Sequence, residues 1–147
     1  MNLEARRLNP GVPPGSRSVN HTEERNLEVV KRWAETYNHD VDRMVLECYA
    51  ENCTATSVLG GAKVEGHPRF LKLEQHILKA APRRWMRLDS TYAAGDVVVV
   101  EATLFDPDQG DQWQSPFCAV LRFKEGRIVE DRTYMDESRW PGIPKKS

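Results

Sequence analysis

The chain has 147 residues, in which 21 lysines and arginines are balanced by 22 aspartates and glutamates. This length suits a single domain with one hydrophobic core and room for one ligand cavity. The near-neutral charge gives no electrostatic reason to bind nucleic acid or an anionic membrane, and no apolar stretch approaches the ~20 residues of a transmembrane helix.

The first 21 residues are predicted to form a flexible arm. They contain Pro10, Pro13 and Pro14 and show no apolar period. No apolar segment follows the basic pair Arg6 and Arg7, so we expect no secretory signal. The three cysteines cannot all pair with one another. An odd, sparse set of thiols is typical of a reducing compartment, and a cytoplasmic location is therefore expected.

Three amphipathic helices are predicted next. Thr22 is a suitable N-cap for the first, Asp40 caps the second, and Pro68 opens the third, which Pro82 stops. Apolar residues recur at helical spacing in each. On the first helix these include Leu27, Val30, Trp33, Ala34 and Tyr37; on the second, Val41, Met44, Val45, Cys48 and Tyr49; on the third, Phe70, Leu73, Ile77 and Ala80.

The remaining elements are predicted to be strands. A short β-branched run spans residues 53–58, between the second and third helices. From Arg84 onward the apolar period changes to two, which predicts strands over residues 84–93, 97–105, 112–123 and 127–136 in an antiparallel meander. Helices followed by a meander indicate an α+β fold. Arg83, Arg84 and Arg87 surround Trp85, and we expect solvated arginines at a strand edge there.

One strand is apolar on both faces. Residues 97–100 are four consecutive valines, whereas a sheet with one face in water would alternate. The inner face packs on helices, so the outer face needs cover as well. A second copy of the chain would provide it, which predicts a homodimer through the outer sheet face. Alternatively, the N-terminal arm or the tail at Trp140 and Pro141 lies across this face.

An ordered set of motifs resembles a known family. The motifs are Tyr49-Ala50-Glu51-Asn52-Cys53-Thr54, Glu65-Gly66-His67-Pro68-Arg69-Phe70, residues 120–129 (VLRFKEGRIV) and Tyr134-Met135-Asp136. Together they resemble the SnoaL-like polyketide cyclases of the nuclear-transport-factor-2-like superfamily, which includes ketosteroid isomerase and limonene-epoxide hydrolase. The resemblance covers residues 22–136 and leaves residues 137–147 as a C-terminal tail. It implies a cone-shaped curved antiparallel sheet wrapped around three N-terminal helices and enclosing an apolar pocket.

The resemblance also implies which strand faces carry the working residues. Strand alternation then gives an inner set, which a single β-bulge would reverse. It comprises Cys53, Ala55 and Ser57; Val99, Glu101, Thr103 and Phe105; Trp113, Ser115, Phe117 and Ala119; and Asp131, Thr133 and Met135. Trp33 and Tyr37 would close the pocket from the first helix. Within this set, the predicted substrate-binding residues are Trp33, Tyr37, Ser57, Thr103, Trp113, Phe117, Thr133 and Met135.

Two reactions of the superfamily are not expected. Limonene-epoxide hydrolases use an Asp-Arg-Asp set with Tyr and Asn, and the matching positions here are Thr103, Glu101, Thr133, Ala55 and Ser57. None of those residue types is retained. Ketosteroid isomerases place their base carboxylate at the position of Ser57, and a serine cannot serve as that base.

Glu101 and Asp131 are the predicted catalytic residues. Glu101 lies between Val100 and Ala102, so burial would raise its pKa and suit it to general acid–base chemistry. Asp131 would be its partner, and Tyr37 would donate to a developing oxyanion. The structural alternatives are a salt bridge from Glu101 to Arg87 or Arg122, and a solvated Asp131 in a charged run.

Neither a metal nor a cofactor is predicted. The sequence has no His-x-His, His-x-x-x-His or Cys-x-x-Cys spacing and no glycine-rich phosphate loop. The sequence therefore predicts a cofactor-independent isomerase, cyclase, dehydratase or hydrolase acting on a small apolar carbonyl-bearing metabolite. The alternative is a non-catalytic ligand-binding or dimerisation module of the same fold.

Overall fold

The computed structural model describes residues 19–143 and the backbone of residues 6–7. Three longer helical segments, one short 3₁₀ helix (Pro107–Gln109) and seven strands are present in these residues. The helices are α1 (His21–His39), α2 (Val41–Arg43), which continues as a π-helix (Met44–Cys48), and α3 (His67–Ala80). The strands are β1 (Arg6–Arg7), β2 (Tyr49–Ser57), β3 (Lys63–Glu65), β4 (Trp85–Ala94), β5 (Val97–Phe105), β6 (Gln114–Lys124) and β7 (Arg127–Tyr134). The rest of the predicted arm, and residues 144–147 of the tail, lie outside the described residues.

All strands belong to one curved, unclosed sheet in the order β1-β4-β5-β6-β7-β2-β3. The predicted α+β class and the antiparallel meander β4 to β7 are confirmed. One pair of strands departs from the antiparallel pattern, because β2 pairs parallel with β7. The long excursion through α3 and the meander returns the chain to β2 in the same direction, and only such a crossover permits parallel pairing.

The helices pack on one face of this sheet, and the core lies between the two layers. On β5 the residues that face the helices are Val98, Val100, Ala102 and Leu104, all of them fully buried. Trp140 of the C-terminal segment also lies on the helix side, with its ring 5.1 Å from that of Phe117. The tail at Trp140 therefore does not cover the outer face of the sheet. The backbone of β1 pairs with β4 and forms one edge of the sheet.

Helix α1 begins with a capping box two residues earlier than predicted. The N-cap is Asn20, not Thr22: the Asn20 side chain accepts from the Glu23 N–H at 2.9 Å, and the Glu23 carboxylate accepts from the Asn20 N–H at 3.1 Å. In a capping box, an Asn at the N-cap and a Glu at N3 each accept a hydrogen bond from the backbone N–H of the other residue, which satisfies two free N–H groups at once. Glu23 is fully buried and also accepts from the Gly95 N–H at 2.9 Å, which joins α1 to the β4–β5 turn.

None of the helices in the described part of the chain is long and apolar enough to span a membrane. Cys48, Cys53 and Cys118 are all free thiols.

Replacing Glu23 should destabilise the domain. Glu23→Ala removes the capping box and leaves the Gly95 N–H without its acceptor, so we expect a loss of about 2 kcal/mol in the free energy of unfolding. Urea denaturation measures this loss. Glu24→Ala, at an exposed position in the same turn, is the control and should cost less than about 1 kcal/mol. Equal effects of the two substitutions would contradict the role given to Glu23.

Candidate active site

A cavity of about 180 Å³ lies between α3, the strands β2, β3 and β7, and the C-terminal segment. Most of its lining is apolar: Ala55, Ala62, Val64, Phe70, Leu73, Ile77, Met135, Trp140 and Ile143. The polar residues that also line it are Thr56, Ser57, Lys63, Glu74, Asp131, Thr133 and Glu137. An apolar hollow with a few convergent polar groups is the usual form of a small-molecule site.

Asp131 is the most completely hydrogen-bonded acid of this cavity. It lies on β7 opposite Ala55 of β2 and is 5% exposed. Its Oδ2 accepts a hydrogen bond of 2.5 Å from the Tyr49 hydroxyl, and its Oδ1 accepts one of 2.6 Å from the Thr133 hydroxyl. Both carboxylate oxygens are therefore fixed by hydrogen bonds, one from Tyr49 on β2 and one from Thr133 on β7.

The direction of these hydrogen bonds follows from Trp33. Its indole N–H donates to the Tyr49 oxygen at 2.9 Å, and an indole nitrogen has no acceptor capacity. The Tyr49 oxygen therefore receives one proton from Trp33 and directs its own toward Asp131. Since Tyr49 is 1% exposed, water does not compete for these bonds. Trp33 thus supports Asp131 through Tyr49. It does not line the cavity, so the prediction that it binds substrate there is wrong.

Glu74 on α3 is the second acid of the cavity. With Phe70, Leu73 and Ile77 it occupies the i, i+3, i+4 and i+7 positions that face inward on this helix. Its Oε2 is buried and has no hydrogen-bond partner in the described structure. Sequence reasoning missed Glu74, although its place within the apolar stripe of α3 was a usable signal.

Burial raises the pKa of both acids, but their neighbours differ. For Glu74, burial is the main cause and the negative charge of Asp131 adds to it, while the positive charge of Arg84 opposes it; the pKa rises from 4.5 to about 7. For Asp131, burial raises the pKa, and the hydrogen bonds from Thr133 and Tyr49 oppose that rise by stabilising the charged form. Asp131 is thus the better stabilised carboxylate, and Glu74 is partly protonated near neutral pH.

Five residues of the predicted inner set lie together at the cavity. They are Ala55, Ser57, Asp131, Thr133 and Met135. Ser57 is buried, and its hydroxyl has no hydrogen-bond partner within the described residues. The inward orientation predicted for β2 and β7 is therefore observed.

The predicted inward orientation of Glu101 and Thr103 is wrong. Glu101 is exposed on the outer face, and the Thr103 hydroxyl donates to Asp89 at 2.6 Å on that same face. Directly opposed residues of an antiparallel pair share a face, and Ala102 is paired with Phe117. An inward Phe117 therefore requires an inward Ala102, which turns Glu101 and Thr103 outward. The register of β5 and β6 depends on the geometry of the connection between them. The alternation of apolar and polar residues does not specify that geometry.

The remaining predicted residues do not line the cavity. Tyr37 is buried beside Arg84, whose guanidinium carbon is 4.3 Å from the centre of the Tyr37 ring. Arg84 is itself buried because α1 covers it, so the prediction of a solvated arginine at this position is wrong. Phe117 packs against Trp140 behind the cavity wall. Trp113 is partly buried beneath Arg139, 5.3 Å from its ring centre, rather than at the site.

The residues present do not suggest a metal centre. Among the residues that the structure describes, no group of three or more histidine, cysteine, aspartate or glutamate side chains could hold a metal ion. The prediction that the protein uses no cofactor stays a prediction.

The chain was compared with known families and structures. The family model described as "SnoaL-like domain" matches residues 30–131, and no curated protein matches. A protein from Jannaschia sp. CCS1 described as a SnoaL-like polyketide cyclase shares 18% identity and a TM-score of 0.73, covering 88% of this chain and all of that one. A hypothetical protein with a ketosteroid isomerase-like fold from Catenulispora acidiphila, solved in complex with trimethylamine, shares 21% identity and a TM-score of 0.67, covering 80% of this chain and 94% of that one. An epoxide hydrolase similar to limonene-epoxide hydrolase, from M. tuberculosis, shares 18% identity and a TM-score of 0.61, covering 80% of this chain and 87% of that one.

These structural neighbours share the fold, which hosts several unrelated reactions. The family model, in contrast, matches more than half of the chain. The chain belongs to the SnoaL-like domain family.

Proposed function

We propose that this protein is a small enzyme that moves protons on an apolar, carbonyl-bearing compound without a cofactor. The observation that carries the proposal is a pair of carboxyl groups, Asp131 and Glu74, that line one largely apolar cavity. Burying an ionisable group is costly unless it is paired or hydrogen-bonded. Paired titratable groups whose surroundings separate their pKa values are typical of acid–base sites.

Asp131 is suited to the role of general base. Hydrogen bonds from Tyr49 and Thr133 stabilise its ionised form, and each of its oxygens keeps lone-pair capacity for a substrate proton. The same two bonds restrict rotation of the carboxylate, which lowers the entropic cost of a productive geometry.

Glu74 is suited to the role of general acid. Its Oε2 has no partner, and a pKa of about 7 leaves a large protonated fraction at neutral pH. In an isomerisation, Asp131 would take a proton from the carbon next to the carbonyl, and Glu74 would donate a proton at a second carbon. In a dehydration, Glu74 would instead protonate the departing hydroxyl, so that water leaves and a carbon–carbon double bond forms. Each carboxyl would then return to its starting state by exchange with solvent.

The cavity volume limits the substrate. A protein cavity of about 150 Å³ holds one benzene molecule. A cavity of about 180 Å³ therefore fits a single ring with a small substituent, or a short branched chain. The apolar lining favours compounds of this size with one or two oxygen atoms.

A second candidate function is non-catalytic binding of a small organic cation. Three carboxyl-bearing residues, Glu74, Asp131 and Glu137, line the cavity together with the aromatic rings of Phe70 and Trp140. Carboxylates and aromatic faces both attract alkylammonium groups. The similar protein from Catenulispora acidiphila was solved in complex with trimethylamine, which favours this candidate over other non-catalytic roles.

We also propose that the protein is a homodimer through the outer face of the sheet. Tyr92, Val99 and Val120 form a cross-strand row on that face, and all three are only half-buried in the single chain. A second copy would cover this apolar row.

Asp131→Asn should abolish proton abstraction. The probe is cyclohexanone, a single-ring ketone, and the reaction is hydrogen–deuterium exchange at the carbon next to its carbonyl, followed by NMR in D2O. We expect the kcat/KM of the variant to fall by about a hundredfold or more, because an amide cannot accept the proton. Glu101→Gln, which changes an acid on the outer face, is the matched control and should leave kcat/KM unchanged. A normal rate for Asp131→Asn would overturn the proposed base.

The same assay separates the two candidate functions. If wild type and Asp131→Asn are equally inactive but tetramethylammonium binds wild type and not the variant, the cation-binding function is supported and the enzymatic one is rejected.

Glu74→Gln should change how stability depends on pH. The pKa of Glu74 is higher in the folded protein than in the unfolded chain. As the pH rises between these two pKa values, Glu74 ionises in the unfolded chain but not in the folded protein, and the free energy of unfolding falls. Wild type should therefore lose roughly 1–3 kcal/mol as the pH rises from about 4.5 to about 7 and then level off. Glu74→Gln should lack this loss and be the more stable protein above pH 7. Urea denaturation across this range measures both curves, and parallel curves would contradict the raised pKa of Glu74.

The dimer is tested by light scattering at micromolar concentration. We expect a mass of two chains for wild type and of one chain for Val120→Glu, because the substitution places a charge in the proposed interface. Leu59→Glu, at an apolar residue that is 72% exposed outside the outer face, should remain a dimer. A monomeric wild type would remove the dimer proposal.

A further inference from the structure

The C-terminal segment, residues 136–143, forms one wall of the cavity. Glu137, Trp140 and Ile143 of this segment line the cavity together with Leu73 and Ile77 of α3. The family model ends at residue 131, before this segment begins. Membership of the family therefore does not specify this wall, and the size of the cavity depends on how this chain places its own C-terminal segment.

Backbone hydrogen bonds and one arginine hold the segment against the sheet. The Trp140 N–H donates to the Glu137 carbonyl oxygen at 3.2 Å, and the Arg139 N–H donates to the Asp136 carbonyl oxygen at 3.1 Å. These two bonds form a turn that precedes the wall. The Arg139 guanidinium donates to the Gln114 carbonyl oxygen at 3.1 Å, which joins the turn to β6. The start of the segment is therefore fixed in position on the sheet.

Trp140 is the largest side chain of this wall. It is 7% exposed, and its indole meets the ring of Phe117 edge to face, with the ring centres 5.1 Å apart. Protein interiors are close-packed, so a ring held in such a contact has little room to turn aside for a larger ligand. The indole thus occupies space that the second ring of a ligand would need.

Gly142 brings the end of the segment into direct contact with α3. Its φ is +77°, a conformation that side-chain-bearing residues rarely adopt. A Cβ atom at this position would lie 2.8 Å from the Cα of Ile77 and 3.4 Å from the Cβ of Ala80. Only a glycine therefore permits this approach. Because Ile77 and Ile143 both line the cavity, the approach sets the distance between two of its walls.

We propose that Trp140 is the specificity-determining residue of the cavity: its indole limits ligands to a single ring, and Gly142 keeps it in that position. The inference rests on the proposed function in one respect, since the ligand must occupy this cavity. It does not depend on proton transfer, because Trp140 excludes larger ligands by its volume alone. In an apolar pocket, a difference of one methylene group changes discrimination by about 10–200-fold.

Two ketones test the size limit: cyclohexanone, which has one ring, and 2-decalone, which has two fused rings. Both carry one carbonyl group, so they differ only in the size of the ring system. Isothermal titration at pH 7 should show that wild type binds cyclohexanone about tenfold or more tightly than 2-decalone. Without a size limit the order would be the opposite, because 2-decalone buries more apolar surface.

Trp140→Ala should reverse the preference. Removing the indole makes room for the second ring, so 2-decalone binding should strengthen by about tenfold or more, whereas cyclohexanone loses a contact and should bind more weakly. Trp140→Phe retains a ring against Phe117 and should give a smaller change in the same direction; it keeps the test valid if Trp140→Ala fails to fold. Trp85→Ala removes a 42% exposed indole that does not line the cavity, and this matched control should preserve the preference.

Gly142→Ala should change the preference through the position of the segment. The added Cβ displaces the segment from Ile77, and Trp140 moves with it, so 2-decalone should again bind more tightly than it binds wild type. Gly95→Ala is the matched control, since Gly95 has a φ of +62° but no atom within 4 Å of the position of a Cβ. It should leave the preference unchanged.

A wild type that binds both ketones equally, or that prefers 2-decalone, would overturn the size limit. An unchanged preference in folded Trp140→Ala or Trp140→Phe would do the same. If neither ketone binds wild type or any variant at millimolar concentration, the size limit and the proposed ligand cavity are rejected together. Failure of the acid–base function alone is a separate result, because Asp131→Asn would then leave the exchange rate of cyclohexanone unchanged while the preference for the single ring persisted.

Discussion

The interior of this domain is organised around one carboxylate that is almost completely buried. Asp131 is tolerated there because Tyr49 and Thr133 each donate to one of its oxygens. Trp33 fixes the direction of the Tyr49 proton by donating to its oxygen. These residues come from α1, β2 and β7, so the bonds that stabilise the charge also join the helix layer to the sheet. The parallel pairing of β2 with β7 is what brings Asp131 beside the start of that network.

A second acid in the same cavity acquires different properties from its surroundings. Glu74 is on a helix, with apolar neighbours on its own face and no hydrogen bond to its buried oxygen. Asp131 is on a strand, where neighbouring hydroxyls reach it. Two chemically similar groups thus differ in how readily they ionise, and this difference is what a proton-transfer site requires. The fold creates the hollow, whereas the function depends on which side chains project into it, and relatives with this fold differ there.

Much of the architecture was predictable because it is encoded locally. The periods of 3.6 and 2 marked the helices and strands, and alternation placed Ser57, Asp131, Thr133 and Met135 on the inner face. The same reasoning failed for Glu101. Alternation says only which residues share a face, and the choice between the two faces of β5 follows from its pairing with β6. Glu74 was overlooked because a charged residue in an apolar stripe is usually solvated, although its position fitted the inward face.

The sequence by itself determined the order of the three helices and the five longer strands, the α+β class, the family and one of the two cavity acids. These follow from spacing within single elements and from motifs in chain order. The tertiary structure decided the outward face of Glu101, the partnership of Glu74 with Asp131, and the burial of Arg84 beneath α1. Each of these features depends on contacts between segments that are far apart in the chain. The local spacing of apolar residues does not specify how such segments pair or pack.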